Sequence, residues 1–176
     1  MELFLLILRN TAIALVGTYL VFVLLDVIFV ISFSSILSQH DHDLSLILTN
    51  KKDNIDKLAA LLNKHGVKLD KKKLEELSNF DLKKIEHQDG EEAKNARDLL
   101  TSLSEYFLYV ARDNEKASSD PEFFEIANNI DEQEKIYRQH LVLYNADVLG
   151  YNFWISFFLT RYIYKILKRK TKDIIS

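Results

Sequence analysis

The chain has no cysteine, which excludes disulfides, zinc–thiolate sites, iron–sulfur clusters and a thiol nucleophile. One proline and four glycines in 176 residues leave little of the punctuation that hairpins, sandwiches and α/β loops require. Few turns means few, long elements. The formal net charge of -3 is far from the basic balance of a nucleic-acid binder, and no strip of aromatic and basic residues suited to stacking bases occurs. Nucleic acid is therefore not an expected partner. A phosphate-binding glycine loop, a nucleophile elbow, a histidine zinc motif and a close carboxylate pair in a cleft are also lacking. These gaps argue against an enzyme and give no reason to expect a cofactor.

What is present is unevenly spread. Hydrophobic residues make up 48% of the chain and charged ones 28%, yet residues 1–37 carry almost no charge, while 51–116 are crowded with Lys, Glu and Asp. Residues 11–33 read TAIALVGTYLVFVLLDVIFVISF, long enough at about 1.5 Å per residue to cross a hydrocarbon core of roughly 30 Å. Asp26 is the one residue of that stretch that is ordinarily charged at neutral pH. A central Asp costs about 3 kcal/mol on an insertion scale, and some fifteen Leu, Ile, Phe and Val residues return roughly 0.3–0.6 each, so insertion is favoured. Asp26 then either pairs within the membrane or snorkels to its edge. A cleaved signal peptide fits less well, because Arg9 follows the first apolar run and no small-x-small site closes the span. A buried soluble core helix would need apolar cover on every side, which the charged remainder does not supply. Val21 stands four residues after Gly17, so a GxxxG dimer seam is not formed.

Beyond residue 33 no Pro or Gly occurs until Gly66, so the membrane helix is predicted to run on into water without a break. Leu44, Ile47, Leu48, Ile55, Leu58 and Leu62 fall three, four or seven apart, making one apolar stripe that Gly66 closes as a cap. The part outside the membrane, 34–62, would extend ~40 Å. Residues 67–90 hold scattered apolar side chains (Leu69, Leu74, Leu77, Phe80, Leu82, Ile85) among many charges and read as a connector with one or two short helices. Ala96, Leu99, Leu103, Phe107 and Val110 restore helical spacing in a second long helix. Asp120 as N-cap, Pro121 in the first turn and Glu122 at the positive helix end start a third. Its apolar side recurs at Tyr137, Leu141, Tyr144, Val148, Tyr151, Ile155, Phe158 and Tyr162, a near-heptad pattern of coiled-coil type. The expected fold is all-α, with an N-terminal transmembrane helix that continues into an antiparallel bundle of three long helices and a short charged helical connector. The anchor is assigned to 1–36 and the bundle to 37–176.

Two segments resemble the LemA family of bacterial membrane proteins. In IDEQEKIYRQHLVLYNADVLGYNFWISFF, Tyr144-Asn145 and Tyr151-Asn152 resemble the family's Tyr-Asn pairs seven residues apart, with Glu134 and Arg138 upstream. In SLILTNKKDNIDKL, Lys51 and Lys52 followed by Asp53, Ile55 and Leu58 resemble its basic stretch and Asp-x-Ile-x-x-Leu. LLTSLSEYFLYVARD precedes SSDPEFFEI at the family's distance, so the resemblance runs from about Ser45 onward. It implies a cell-membrane protein of single-pass topology, with the N-terminus outside and a cytoplasmic helical bundle. Two features depart from the pattern. The acidic, Trp-containing stretch after the membrane is replaced by SQHDHDL, and the proline after the second Tyr-Asn pair is missing, with Leu159 near that point. The last helix is accordingly expected to continue further than is typical.

His40, Asp41, His42 and Asp43 form the densest group of metal-type ligands, but on a helix His40 and His42 point about 200° apart and cannot share an ion in a monomer. A wet helix surface is expected there, with no bound metal. The tyrosines at helical spacing are read as core, and Asn145 and Asn152 as satisfying nearby backbone or side-chain groups. The C-terminal run combines Phe153, Trp154 and Phe157 with Lys165, Lys168, Arg169 and Lys170. These are candidate lipid contacts of a membrane-surface helix, which competes with a role in the bundle core. The sequence thus leads to a non-enzymatic membrane-anchored scaffold or adaptor whose partners are the bilayer, protein partners yet to be identified and, as an open option, a second copy of the chain. A membrane-surface organiser that binds anionic lipid is the alternative.

Overall fold

A computed structural model describes residues 1–80, 90–157 and 160–175. All the regular elements among them are helices: α1 (Glu2–Lys64), α2 (Lys71–Ser78), α3 (Gly90–Asp113), α4 (Glu115–Ser118), α5 (Pro121–Ser156) and α6 (Arg161–Ile166). The uninterrupted α1 follows from the absence of Pro and Gly before Gly66. Its end is a Schellman cap, in which Gly66 adopts φ 74°, Val67 N–H donates to Leu62 O at 3.0 Å and Gly66 N–H to Asn63 O at 3.0 Å. The start of α5 is built as its sequence signals, the Asp120 carboxylate accepting from Glu122 N–H at 3.0 Å. His65 Nε2 lies 2.9 Å from the other Asp120 oxygen, and this hydrogen bond holds the Asp120 carboxyl below its usual range. Of the predicted connector, α2 is present, whereas Leu82 and Ile85 lie outside the described residues, as do Phe158 and Leu159 further on.

The chain divides into two compact units. One comprises Met1–Leu37 and Asp147–Lys172, the other Ser38–Ala146 and Asp173–Ser176. Asp147–Lys172 thus groups with the first part of α1.

In the first unit, most large apolar side chains of α1 face outward, Leu3, Ile13, Leu20, Leu24 and Ile31 each being 60% exposed or more. One helix is therefore long and apolar enough to cross a membrane. Only a narrow stripe of α1 is covered, with Asp26, Val30 and Leu37 buried and Phe33 half-buried on the same face. Phe29 stacks on Trp154 with ring centroids 4.7 Å apart, and Phe33 lies over Gly150. Helix α5 is described to Ser156 and α6 from Arg161, with Thr160 N–H and Arg161 N–H both donating to Phe157 O. The buried side changes register between the two. A straight helix would carry the buried side from Tyr151 and Ile155 on to Tyr162, but Tyr162 is 63% exposed and Thr160 and Tyr164 are turned inward instead.

In the second unit the predicted stripe of α1 is buried, Ile55, Leu58 and Leu62 completely. Leu100, Leu103, Phe107 and Ala111 of α3 are equally buried, with Phe123, Ile126, Ile130, Tyr137 and Tyr144 of α5. Each such side chain contributes about 1.5–3 kcal/mol relative to leaving it in water. Leu77 of α2 and Ala117 of α4 are buried as well, and Asp70 N–H, at the head of α2, donates to the Tyr106 hydroxyl at 3.0 Å.

Gly150 makes the close contact in the first unit, since a Cβ there would sit 2.8 Å from Cε1 and Cζ of Phe33. Gly150→Leu is expected to destabilise the detergent-solubilised chain by about 1–3 kcal/mol through overpacking. Adding Phe33→Ala should recover part of the loss in a thermal melt, whereas additive losses would show that the ring is not what opposes the larger side chain.

Candidate functional site

Two positions in the buried registers of the second unit are charged. The α1 stripe passes from Leu48 to Ile55 through position 51, and the α5 stripe from Ile130 to Tyr137 through position 134. Lys51, only 1% exposed, occupies the first and Glu134 the second. Lys51 Nζ donates to Glu134 Oε2 at 2.8 Å and to Thr101 Oγ1 of α3 at 3.0 Å. Glu134 Oε1 accepts from Arg97 Nη2 of α3 and from Arg138 Nε one turn along α5, each at 3.0 Å. The Arg97 guanidinium also lies over the Tyr137 ring, 5.3 Å from its centroid. One carboxylate thereby joins α1, α3 and α5. Burial alone would raise the Glu134 pKa, but the hydrogen bonds from Lys51, Arg97 and Arg138 and the nearby positive charge hold it at about 2.

An open cleft of about 400 Å³ runs beside this group and is lined by Thr101, Ser104, Arg112, Asn128, Glu134 and Arg138, among others. Its serine is turned to structural use, Ser104 Oγ donating to Thr101 O at 2.8 Å. The tyrosines of α5 are core residues: burial pushes the hydroxyls of Tyr137 and Tyr144 up to about 12, so neither ionises near neutral pH.

The two asparagines of the Tyr-Asn pairs act alike. Asn145 Nδ2 donates to Ile175 O at 2.8 Å, and Ile175 N–H donates to Asn145 Oδ1 at 2.9 Å. Asn152 Nδ2 donates to Lys172 O at 2.7 Å, and Lys172 N–H donates to Asn152 Oδ1 at 2.8 Å. Each primary amide thus satisfies both backbone groups of one residue in the C-terminal tail. Tyr144 and Tyr151, one position earlier, are buried at 5% and 3% exposure.

The other sequence-selected residues are dispersed. Ile55 and Leu58 are core and Asp53 is exposed. Among the candidate lipid contacts, Phe153, Lys165, Lys168, Arg169 and Lys170 are exposed, while Trp154 and Phe157 are half-buried. Trp154 is engaged in its stack with Phe29. Asp26 is 1% exposed, covered by protein. It faces the hydroxyl of Tyr164 of α6.

The ionic group ties α1, α3 and α5 together, and the asparagines tie α5 to the tail. No family model, curated protein or solved structure matches the chain, and the likeness to LemA proteins stays an expectation raised by the motifs quoted above. Of those, the structure brings Lys51, Glu134 and Arg138 into one ionic group, and gives Asn145 and Asn152 a common task.

Glu134 is depressed relative to the 4.5 of an unperturbed carboxyl, so its stabilisation is complete above about pH 4.5 and is lost as pH falls toward 2. By linkage this amounts to roughly 3 kcal/mol in full, of which about 2 kcal/mol is lost between pH 6 and 3, and chemical denaturation over that interval should show Glu134→Gln losing about 2 kcal/mol less stability than wild type. At neutral pH the same variant leaves Lys51 buried without its counter-charge, at an expected cost of about 3–5 kcal/mol, and adding Lys51→Met should restore most of it. The tail clamps give a separate expectation. Asn145→Ala and Asn152→Ala each remove two hydrogen bonds of about 0.5–1.5 kcal/mol. Hydrogen exchange at Lys172 and Ile175 should accelerate severalfold to tenfold or more, and unchanged exchange would show that the clamps do not hold the tail.

Proposed function

We propose that the chain is a single-pass, membrane-anchored helical scaffold of the bacterial LemA type, without enzymatic activity, that recruits protein partners through the outer face of a cytoplasmic bundle. In this reading residues 11–33 of α1 cross the cell membrane with the N-terminus outside. The rest of α1 packs with α3 and α5 as an antiparallel three-helix bundle of coiled-coil character. The observation that carries it is the continuity of α1, one 63-residue helix whose first part exposes apolar side chains on nearly all sides and whose last part buries one stripe. A helix that is apolar on its outer faces in one unit and supplies a core stripe in the other suits a tether. The basic C-terminal residues support the cytoplasmic placement, through attraction to anionic lipid.

The bundle unit also displays large apolar side chains to solvent, with Tyr109 at 70%, Val142 at 69% and Phe124 at 59% exposure, the type of group that anchors a protein contact. Photo-crosslinkers placed at these three positions in native membranes should capture discrete proteins or a second copy of the chain. Capture of lipid alone, or of nothing, would remove the scaffold reading.

A second reading, an organiser of anionic lipid, is favoured by one specific observation. Tyr162, Ile166 and Leu167 are 59–80% exposed beside the exposed cations Lys165, Lys168, Arg169 and Lys170, a snorkelling arrangement suited to headgroups. In nanodiscs holding the full chain, enrichment of anionic lipid around it that disappears when the four cations become Gln would support this reading, and equal enrichment would reject it.

A further inference from the structure

The geometry points to a divalent transition-metal site formed by His40 and Asp43 of α1 and His140 of α5. The sequence places two of these ligands three residues apart on α1, where side chains share a helix face, and the fold supplies the third from a helix one hundred positions along the chain. One ligand atom from each residue lies within 4.8 Å of the others. Atoms sharing a zinc-type ion at about 2.0–2.2 Å are separated by roughly 3.3 Å, so closure onto an ion needs only small side-chain rotations. The imidazoles of His40 and His140 meet at an interplanar angle of 77° with centroids 6.3 Å apart, edge to face and not stacked. All three residues are half-buried.

A second observation points the same way. Nδ1 of His140 is shut away from solvent and has no hydrogen-bond partner among the described residues. A buried ring nitrogen in that condition is costly, a penalty that coordination through it would remove. His42, the other histidine of the SQHDHDL stretch, is exposed and contributes nothing to the group.

The donor set decides the class of ion. Two imidazole nitrogens and one carboxylate oxygen suit Zn²⁺ and its first-row neighbours, whereas Mg²⁺ and Ca²⁺ take oxygen ligands. Three protein ligands leave a fourth position for water or a small anion. The ion would clip α1 to α5 within the second unit. This site does not depend on the scaffold reading.

The test uses the full chain in detergent, without a histidine tag, stripped of metal and titrated with Zn²⁺ against a chromophoric chelator. Co²⁺ substitution reports geometry through its visible absorption. One ion per chain is expected, with Mg²⁺ failing to compete. His40→Gln, Asp43→Asn and His140→Gln should each weaken binding by about tenfold or more, with helix content by circular dichroism unchanged, and His42→Gln should stay within about twofold of wild type. The proposal is overturned if the wild-type chain binds no stoichiometric ion, or if His42→Gln weakens binding as much as His140→Gln does. Should His140→Gln unfold, the more conservative Asp43→Asn decides, and unchanged affinity and Co²⁺ spectrum in that variant also overturn the proposal.

Discussion

The ion pair between Lys51 and Glu134 is the constraint around which the second unit is organised. An ammonium group out of contact with water is tolerable only when a carboxylate meets it at close range and its remaining donors are satisfied. Thr101 takes one of those donors, and Arg97 and Arg138 complete the Glu134 carboxylate. The group therefore involves α1, α3 and α5 at once and fixes their axial registers. Sliding any one of them by a turn would strand a buried charge. Apolar stripes alone are permissive in this respect, since Leu, Ile and Phe at repeated spacing pack almost as well one turn away. The polar centre supplies specificity that the surrounding hydrophobic contacts lack.

The first unit rests on a different compromise. Its α1 segment buries one narrow stripe and leaves the rest apolar and exposed, which suits a helix whose solvent is lipid. Within that stripe Asp26 is sheltered by the returning C-terminal part of the chain. Trp154 on Phe29 and Phe33 over Gly150 are the contacts that hold that return against α1. Aromatic residues that look from composition like a membrane-surface helix are thus divided, with Trp154 turned toward protein and Tyr162 and Phe153 away from it. The basic residues beyond them stay exposed and can serve headgroups without competing for the packed positions.

Much of the helical frame was legible because long elements announce themselves through periodicity and caps. Gly66 closes α1, and Asp120 with Pro121 opens α5, each with the hydrogen bonds its residue type implies. What periodicity could not show was the meaning of its own interruptions. Lys51 falls on a core position of α1 and Glu134 on a core position of α5, and only the pairing in space makes the two interruptions one feature. Charged residues of opposite sign at core register positions of two different helices would have been the signal. His140 escaped notice for a related reason, as a lone histidine on α5 carries no pattern until α1 sets His40 and Asp43 beside it. The change of register between α5 and α6 was not legible because no Pro or Gly marks it; the burial of Thr160 and Tyr164 is a tertiary gain.

The asparagine clamps have a consequence for how the tail tolerates change. Both amides read only main-chain N–H and C=O groups, so the side chains at Lys172 and Ile175 take no part in the hydrogen bonding that docks them. Substitution should be accommodated more readily at Lys172 than at Ile175, whose side chain is itself buried, with one exchange excluded at both. Proline carries no N–H, so at either position it would halve the clamp while leaving α5 untouched. Each clamp is therefore met by the position of a main-chain group, and at Ile175 the buried side chain adds an apolar demand that Lys172 does not share.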